Sequence, residues 1–484
     1  MATLPLAQTK EQIALWDSLQ PVSRVAATDT YKRTMSASSD LFADNYAVYT
    51  LAARRPLQEA GNQLVNAGLE KLLYTWFRNP ITREEVERVG EFFEKQSSVK
   101  KFPWKAWQAV LENDGFLPVD VYSLPGGQTF LIKDGKYTPI ATVEGVGAIA
   151  SHLEAHFENQ YTAIIHATKA RLFQEAVGIN KAEFGLRSDF TANDHVARML
   201  ALSVGGNFVY TSDDQAVYLF PDLFEDVGTV GHEFPMAYQR EGETLERAQE
   251  KAYRNFINAN DRSALLPDII STIHSGLPLI LRLAQEYNGK TVIPRMDSGD
   301  VPAQTIIWKR MALEAGLETT IVVEDGYTPE KGRATKELYA ENGFDPAEIT
   351  VGTGGYFEDG TTRDAISLSY KRGATEHEGT LEPSLKFSDT PGKESIPGQV
   401  RVYERGNQLI VAQAYEDIDG TPLMQKAVDN GRINYFETIQ TQQDRANRTW
   451  GRYNSVTYSL ETERIIAERN AEREAIVARL EGGR

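Results

Sequence analysis

The sequence has no cysteine among its 484 residues, which excludes disulfide bonds, cysteine-ligated zinc, iron–sulfur clusters and a cysteine nucleophile. Long apolar runs are also missing. No stretch approaches the ~18 apolar residues of a transmembrane helix, and the segment from Met1 to Trp16 has no sustained apolar run behind basic residues. We therefore expect a soluble, cytoplasmic protein without a membrane partner.

Basic residues are outnumbered: 51 Lys and Arg against 68 Asp and Glu give a formal net charge of −17. A nucleic-acid partner would require a basic face that displaces counterions from phosphates, so we expect none. An anionic substrate would need a local basic cluster. The remaining composition, with 41% hydrophobic residues, is ordinary for a globular protein, and the length suits two domains, one of which could be a barrel.

Between residues 289 and 357, β-rich runs alternate with helical patterns and predict a βαβαβ unit. The predicted strands are Thr291 to Met296, Thr319 to Val323 and Glu348 to Val351. The second helix should begin at Thr328, an N-cap residue that is followed by Pro329 at the first helical position. Units of this kind require a parallel sheet.

Small or acidic residues follow each predicted strand. The three loops are Asp297-Ser298-Gly299-Asp300, Glu324-Asp325-Gly326 and Gly352-Thr353-Gly354-Gly355. Ligands of β/α barrels and open α/β sheets bind at this carboxyl edge, so three such loops in succession favour a site there. Helical patterns at 193–204 and 245–259, with short apolar runs that end at Tyr210, Phe220 and Leu266, favour a β/α barrel over a doubly wound sheet.

The region from residue 1 to about residue 165 mixes helical and strand patterns and has the character of a separate domain. Residues 388–398 are typical of a loop, because they contain two Pro-Gly pairs separated by a short polar stretch. Residues 462–480 form a charge-rich helical pattern. We find no internal repeat.

Several residues near the predicted loops could carry chemistry. His232 lies in a glycine-rich turn before a helical stretch, although a histidine in that position is more often simply packed in a loop. Asp297 ends a strand, where a carboxylate can reach ribose hydroxyls or a divalent ion, whereas Asp300 is better placed as a helix cap. Basic residues that could bind phosphate or carboxylate stand next to loops and strand ends, at Arg295, Arg363, Lys371, Lys386 and Lys393.

Together these motifs resemble the nicotinate phosphoribosyltransferases and their nicotinamide-using relatives, the type II phosphoribosyltransferases, over nearly the whole chain. The resemblance rests on the order and spacing of the motifs rather than on any one of them. They are Thr28-Asp29-Thr30-Tyr31 with Thr34-Met35, Ala167-Thr168-Lys169-Ala170-Arg171, Phe184-Gly185-Leu186-Arg187, Thr211-Ser212, Gly228-Thr229 with His232, Arg295 with Asp297-Ser298-Gly299-Asp300, Gly352-Thr353-Gly354, and Pro391-Gly392-Lys393 with Pro397-Gly398.

The resemblance implies an α/β fold with two domains. An irregular β/α barrel, the phosphoribosyltransferase domain, would span residues 166–384. An α/β sandwich domain would combine residues 1–165 with the returning C-terminal segment 385–484. The resemblance also implies a homodimer with shared active sites at the subunit interface.

By position in the motifs, the resemblance assigns roles to individual residues. Tyr31 from the partner subunit and Phe184 would sandwich the pyridine ring, and Arg295 would face its carboxylate or carboxamide. Arg187 and Asp297 would position the ribose pyrophosphate. The residues implied to hold phosphates are Arg54 from the other subunit, Gly354, Gly355, Arg363, Lys371, Lys386 and Lys393.

The reaction implied is the transfer of a phosphoribosyl group from phosphoribosyl pyrophosphate to nicotinate, which gives nicotinate mononucleotide and pyrophosphate in NAD salvage. His232 matches the family histidine that is phosphorylated when ATP hydrolysis is coupled to synthesis. Magnesium would share the neutralisation of the leaving group, with Asp297 as a possible ligand. The protein itself must mainly align the reactants and neutralise charge.

Two positions in the motifs bear on metal binding and on the choice of substrate. Where nicotinate enzymes show Asp-Thr-Tyr-Asp-Thr, this chain has Asp268-Ile269-Ile270-Ser271-Thr272, so a second carboxylate is missing and metal binding there is open. Ser212 falls where nicotinamide enzymes place an aspartate that binds the carboxamide. A serine hydroxyl can donate to a carboxylate, which favours nicotinate. Nicotinamide stays the alternative, because Asp213 or Asp214 could substitute for that aspartate.

Two other classes of function remain open. A glycoside hydrolase could use Asp297 and Asp325 as its carboxylate pair, but the glycine loops and the basic cluster would then have no role. A ligand-binding paralogue without activity is compatible with Ser271.

Overall fold

The computed structural model describes residues 9–388 and 394–482. The chain divides into two compact units. One unit, the barrel unit, is Lys169–Asp359, and the other, the discontinuous unit, combines the described residues of Met1–Thr168 and Gly360–Arg484. Among the described residues, no helix is both long enough and apolar enough to cross a membrane.

The secondary-structure elements are numbered along the described chain. The strands β1 to β21 are Tyr46–Ala52, Gln63–Val65, Val119–Ser123, Thr129–Lys133, Lys136–Tyr137, Ala141–Val146, Lys181–Glu183, Tyr210–Thr211, Glu225–Asp226, Arg262–Leu265, Thr291–Met296, Ile321–Val323, Ile349–Thr353, Ser369–His377, Thr380–Pro383, Val400–Arg405, Gln408–Gln413, Thr421–Pro422, Gln425–Asp429, Arg432–Ile433 and Ser455–Tyr458. The helices α1 to α19 are Lys10–Ser18, Thr30–Ser36, Asp40–Ala43, Leu69–Phe77, Arg83–Lys95, Trp104–Glu112, Gly147–His152, Glu154–Glu158, Tyr161–Val177, Ala192–Gly206, Asp214–Leu219, Glu233–Met236, Leu245–Ala259, Leu277–Glu286, Val301–Glu314, Pro329–Glu341, Gly355–Glu358, Ile439–Thr449 and Leu460–Gly482.

The barrel unit is built on one parallel sheet with the strand order β10-β11-β12-β13-β7-β8-β9. Every neighbouring pair in that order is parallel. An isolated parallel bridge between Thr229, just after β9, and Ala264 in β10 joins the two edges of the sheet. Ala264, Ile293 and Val322 on three neighbouring strands form a buried cluster. The unit is therefore an irregular β/α barrel, as the sequence predicted.

The predicted βαβαβ unit is confirmed in its elements. Strand β11 has the predicted bounds, and α16 begins at Pro329 after Thr328, whose hydroxyl accepts the Lys331 backbone N–H. Asp300 caps α15 in the same way, by accepting the Ala303 N–H at 3.1 Å. These side chains satisfy N–H groups that a helix start leaves without partners, which is why both helices begin there. The apolar run that ends at Phe220, in contrast, lies in helix α11.

The described residues of the discontinuous unit form three sheets. The largest is antiparallel, with the order β15-β14-β1-β6-β3-β19-β20, and smaller sheets have the orders β18-β16-β17-β21 and β2-β4-β5. Helix α19 agrees with the charge-rich helix predicted at the C-terminal end. The C-terminal segment returns to the N-terminal part through the pairing of β19 with β3.

The chain passes from the barrel unit back to the discontinuous unit earlier than expected, between Asp359 and Gly360. The sequence placed residues 360–384 in the barrel, whereas the structure places them in the discontinuous unit. The physical reason is strand pairing: β14 is the antiparallel neighbour of β1, with Tyr370 opposite Leu51 and Ser369 opposite Ala52. Without β14, the N–H and C=O groups along that side of β1 would lose their ladder partners.

Candidate active site

All strands of the barrel sheet are parallel, so the loops that follow them lie at one edge. In strand order around the barrel, these loops carry Asp268, Asp297, Glu324, Gly354, Phe184, Ser212 and His232. The structure therefore brings five predicted site residues to one edge. It adds Asp268 and Glu324, which belonged to motifs noted in the sequence but had no assigned role.

Arg295, in strand β11, has a guanidinium group that three neighbouring strand ends hold in place. Its Nη1 donates to Thr229 Oγ1 at 2.6 Å, its Nη2 donates to Asp297 Oδ2 at 3.2 Å, and Nη1 lies 3.8 Å from Glu324 Oε1. The side chain is 12% exposed, and its Nε is buried without a hydrogen-bond partner. A guanidinium fixed in this way is a preformed fork for a planar anion.

His232 lies just before the short helix α12 and forms a hydrogen bond with Asp268. The distance from Nε2 to Asp268 Oδ1 is 3.0 Å, and Nδ1 lies 3.9 Å from Asp297 Oδ2. The other Asp268 oxygen accepts from the Ser298 hydroxyl at 2.6 Å. The imidazole is 44% exposed, which excludes the alternative of a packed loop histidine. A carboxylate on one ring nitrogen orients the ring and leaves the other nitrogen for chemistry.

The sequence analysis assigned no role to Asp268. In its motif, Asp268-Ile269-Ile270-Ser271-Thr272, the notable feature was the missing second carboxylate at Ser271. Ser271, which replaces the expected carboxylate, accepts the His274 N–H and caps a π-helical turn at Thr272–Gly276. The signal that could have identified Asp268 was positional. It follows β10, a strand of the same parallel sheet, so it had to reach the same edge.

Glu324 is the first residue after β12, and its carboxylate is mostly buried. Its Oε1 has no hydrogen-bond partner, although the Arg295 guanidinium is nearby. Burial raises the pKa of Glu324, and the charge of Arg295 only partly opposes that effect. A buried acceptor without a donor indicates a place where a ligand could supply one.

The Phe184 ring packs beside Glu324 above a glycine. A Cβ atom at Gly352 would lie 2.6 Å from Glu324 Cγ and 2.7 Å from Phe184 Cε2, so only glycine leaves room for both side chains. Gly354 packs backbone to backbone on the loop after β7, since its Cβ would lie 2.8 Å from the Gly185 Cα. Gly355 begins α17 in open space, and Arg187 is exposed in a short 3₁₀ turn.

Ser212 and Asp213 follow β8 but differ in environment. Ser212 is exposed, and its backbone N–H donates to the Glu183 carbonyl at 3.1 Å. Asp213 is buried, with Oδ2 2.6 Å from His195 Nδ1 and Oδ1 accepting the Gln215 N–H at 2.9 Å. Both oxygens of Asp213 are thus engaged inside the unit. Of the two, Ser212 is the residue that can meet a ligand, and Asp214 is exposed on the first turn of α11.

Five of the predicted site residues lie in the described part of the discontinuous unit, and three of them lie close together. Tyr31 is half exposed, and its hydroxyl donates to Glu154 Oε2 at 3.0 Å. Lys371 donates to Glu154 Oε1 at 2.7 Å, and Arg363 Nη1 lies 3.2 Å from Glu158 Oε2. The structure thus brings Tyr31, Lys371 and Arg363 together along the single turn of α8.

The remaining predicted residues of this unit are spread more widely. The Arg54 backbone N–H donates to the Ile366 carbonyl at 3.1 Å, and its side chain is partly buried. Lys386 is exposed in the loop after β15, where its N–H donates to Ser395 Oγ at 2.9 Å. Lys393 lies outside the described residues. The phosphate-binding role of all these residues stays a prediction.

The described residues include no group of three or more His, Asp or Glu side chains arranged to hold a metal ion. Asp297, the predicted metal ligand, has one oxygen bonded to Arg295. Magnesium is often bound through only one or two carboxylates together with substrate phosphates and water. A single carboxylate such as Asp297 fits magnesium that is bound mainly through substrate phosphates and water. It does not fit a site in which protein side chains supply all the ligands.

Comparison with known proteins supports the same fold. No protein-family model matches the chain. A solved structure of human nicotinic acid phosphoribosyltransferase superposes with a TM-score of 0.67 at 17% identity and covers 91% of this chain and 99% of its own. The fold is that of a nicotinate phosphoribosyltransferase. The fold that the resemblance implied is therefore confirmed.

A second solved structure and one sequence relative are also similar to this chain. Nicotinate-nucleotide pyrophosphorylase from Pyrococcus furiosus has a TM-score of 0.61 at 17% identity and covers 88% of this chain and 95% of its own. Nicotinate phosphoribosyltransferase from Bacillus subtilis (strain 168) is 27% identical over 327 residues, or 66% of this chain. The match spans 62% of that relative's length, which is less than two thirds.

Proposed function

We propose that the protein is a nicotinate phosphoribosyltransferase that makes nicotinate mononucleotide and pyrophosphate from nicotinate and phosphoribosyl pyrophosphate. The reaction would be coupled to ATP hydrolysis and would serve NAD salvage in the cytoplasm. The observation that carries the proposal is the Arg295 guanidinium. It is fixed by Thr229 and Asp297, and it stands at the same strand edge as a histidine–carboxylate pair.

The chemistry forms a bond between the pyridine nitrogen and ribose C1 while the bond from C1 to the pyrophosphate oxygen breaks. The bonding pair of the broken bond leaves with pyrophosphate, and C1 passes through an oxocarbenium-like state. Catalysis of this kind depends on alignment and on charge neutralisation. Arg295 would hold the nicotinate carboxylate, Phe184 would stack on the ring, and Asp297 and Arg187 would position the ribose pyrophosphate.

His232 would carry the ATP coupling. In the proposal, the exposed imidazole accepts the γ-phosphoryl group of ATP through the nitrogen that Asp268 does not engage, and water later removes that group as phosphate. ATP and water are thereby converted into ADP and phosphate. The Asp268 carboxylate supports the positive charge that the ring carries when it is phosphorylated.

When bound together with phosphoribosyl pyrophosphate, magnesium would supply neutralisation of the charge on the leaving group. Asp297 is the protein ligand proposed for it, because this carboxylate stands at the strand edge and is only partly engaged by Arg295.

The proposal includes a homodimer in which Tyr31 and Arg54 reach the partner's site. The test is complementation, assayed at a nicotinate concentration well below KM, where the Tyr31→Ala and Arg295→Ala proteins should each have little activity. The two variants are unfolded together and refolded as a mixture. Mixed dimers would hold one intact site, so about a quarter of the wild-type activity should return. No recovery, although mixed dimers form, would contradict sharing of the site.

Nicotinamide is a second candidate substrate, and one observation favours it. The buried Glu324 Oε1 has no donor and lies beside Arg295, where a carboxamide NH2 could supply one. A Glu324→Gln variant separates the candidates. With nicotinate as the true substrate, removal of a nearby negative charge should lower its KM. With nicotinamide as the true substrate, loss of a charged acceptor should raise the KM of nicotinamide.

The experiment that tests the proposed function is a product assay on the purified protein. Phosphoribosyl pyrophosphate is supplied with each pyridine, with and without ATP, and the mononucleotide, pyrophosphate and phosphate are measured. The proposal expects nicotinate mononucleotide and a higher yield with ATP. Binding of phosphoribosyl pyrophosphate without any pyrophosphate formed would indicate an inactive paralogue instead.

A further inference from the structure

Behind the carboxyl edge of the barrel unit lies a buried network of charged side chains centred on helix α10. His195, which is fully buried, lies between two carboxylates: Nδ1 is 2.6 Å from Asp213 Oδ2, and Nε2 is 2.8 Å from Glu183 Oε2. Arg198, one turn further along the helix, donates to Glu183 Oε1 at 2.9 Å and lies 3.1 Å from Asp189 Oδ2. Its Nη1 also pairs with Glu358.

Each carboxylate of this network lies in, or directly next to, a segment at the carboxyl edge that carries a residue of the proposed site. Glu183 directly precedes Phe184, and its Oε1 also accepts the Gly185 N–H at 2.8 Å. Asp213 directly follows Ser212. Glu358 ends helix α17, which starts at Gly355. The loops after β7, β8 and β13 therefore share one buried anchor on α10.

We infer that His195 is a positioning residue, which, with Arg198, holds the Phe184, Ser212 and Gly354 loops in the arrangement that binds the pyridine substrate. The inference rests on the proposed function for the identity of that substrate. It goes beyond the proposed function because His195 touches no substrate. None of the motifs that carry the family resemblance includes this residue.

The charges around His195 explain why a histidine can serve as this anchor. The charged groups that face it are Glu183, Asp213, Asp189 and Arg198, and Glu358 is reached through Arg198. Burial by itself lowers the pKa of His195, but the hydrogen bonds to Asp213 and Glu183 outweigh that effect and raise it to about 9. The imidazole is therefore a cation at neutral pH and can donate from both nitrogens at once.

Glutamine at position 195 cannot replace that double donation. Its amide has a donor end and an acceptor end, so one of the two carboxylates would face an oxygen. Since buried carboxylates are costly without a donor, the Phe184 loop and the Ser212 loop should part from the helix. Loosened loops weaken contacts that are made in both the ground state and the transition state, which raises KM more than it lowers kcat.

The test compares His195→Gln with Lys309→Met as a matched control. Lys309 is also buried and charged, and it forms a 2.6 Å ion pair with Glu348, just before the start of β13 at the opposite, amino edge. Both variants lose a buried cation and both should be destabilised. We expect His195→Gln alone to raise the nicotinate KM at least tenfold, with kcat within about threefold of wild type.

A second measurement does not depend on activity. Hydrogen exchange should speed up in the segments 184–190, 212–215 and 354–358 of His195→Gln, and in none of these segments of Lys309→Met. The double variant His195→Gln/Asp213→Asn should restore protection of the 212–215 segment, because an amide at 213 can donate to the glutamine oxygen.

The activity and exchange measurements distinguish a failure of the proposed function from a failure of the role assigned to His195. Absence of product from the wild-type protein would contradict the proposed function, while faster exchange in the three loops of His195→Gln would still support the anchor. Unchanged exchange in those loops, or an equal rise of KM in the two single variants, would overturn the assignment of His195.

Discussion

Ser212 and Asp213 are neighbours in the chain, yet the structure gives them opposite environments. His195 and the Gln215 N–H occupy the oxygens of Asp213, whereas Ser212 is exposed at the carboxyl edge of the barrel sheet. Of these two neighbours, the serine is the one whose side chain is accessible to a ligand. Its hydroxyl can donate to a carboxylate, which is the physical basis for preferring nicotinate over nicotinamide.

Replacement of Ser212 by aspartate should shift specificity toward nicotinamide. Like charges at ~4 Å with an effective dielectric near 20 cost about 4 kcal/mol before relaxation. Water and a raised pKa of the new carboxyl will reduce that cost. We expect the ratio of kcat/KM for nicotinate to that for nicotinamide to fall at least tenfold, which needs about 1.4 kcal/mol. An unchanged ratio would mean that residue 212 does not face the ring.

The His232–Asp268 pair makes a prediction about ATP. His232→Ala should keep the fold and basal product formation but abolish the stimulation by ATP, because the side chain is 44% exposed and lies outside the core, and the proposed phosphoryl acceptor is lost. Product yield with and without ATP measures this directly. Asp268→Asn is the companion variant and should reduce the stimulation without removing it. An ATP dependence that survives His232→Ala would place the coupling elsewhere.

Arg295 is expected to contribute mainly to binding of the pyridine. In Arg295→Ala, the carboxylate of nicotinate would lose a charged fork donor, at a cost of about 2 kcal/mol or roughly thirtyfold in KM. Thr229 and Asp297 would also lose their donor, so circular dichroism and a melting curve serve as the folding control. A KM within twofold of wild type would remove Arg295 from the pyridine pocket.

At the scale of elements, helix α10 connects stability to pH through His195. The folded pKa of about 9 lies above the ordinary value near 6.5. Charged His195 therefore adds stability that is fully present below about pH 6.5 and is lost as the pH rises through about 9. The contribution is of the order of 3 kcal/mol at most.

Urea unfolding of wild type and His195→Gln measures this contribution. The difference in unfolding free energy should be largest at about pH 6 and should shrink by about pH 10. The control Lys309→Met should show no loss of its difference between pH 6 and pH 9, because its pair with Glu348 involves no imidazole. A His195→Gln difference that stays constant over the whole range would contradict a charged His195.

The elements also show how far sequence reasoning reaches. Strand β11 and helices α13 and α16 were predictable because periodicity, caps and turns act locally in the chain. The Asp268–His232 pair was not, since its two residues are separated by more than thirty positions and meet only when the barrel closes between Thr229 and Ala264. The network around His195 could not be predicted for a similar reason. A single histidine in a largely apolar helix gives no sequence signal for its partners, which lie on other elements.

At the scale of the whole molecule, the division of the chain into two units could be predicted only in part. The first crossing near residue 168 follows the change of pattern in the sequence. The second was not predicted, since the family resemblance placed residues 360–384 in the barrel. Only the pairing of β14 with β1, across more than three hundred residues, assigns them to the discontinuous unit. Non-local pairing of this kind has no local signal.

The central claim is that this chain transfers a phosphoribosyl group to nicotinate in preference to nicotinamide. The most direct test is a competition: both pyridines at equal concentration compete for limiting phosphoribosyl pyrophosphate in the presence of ATP and magnesium, and the two mononucleotides are counted by mass spectrometry. The ratio of products equals the ratio of the two kcat/KM values. We predict that nicotinate mononucleotide exceeds nicotinamide mononucleotide at least tenfold. An excess of nicotinamide mononucleotide would contradict the account and would point to Glu324 as the residue that reads the ring.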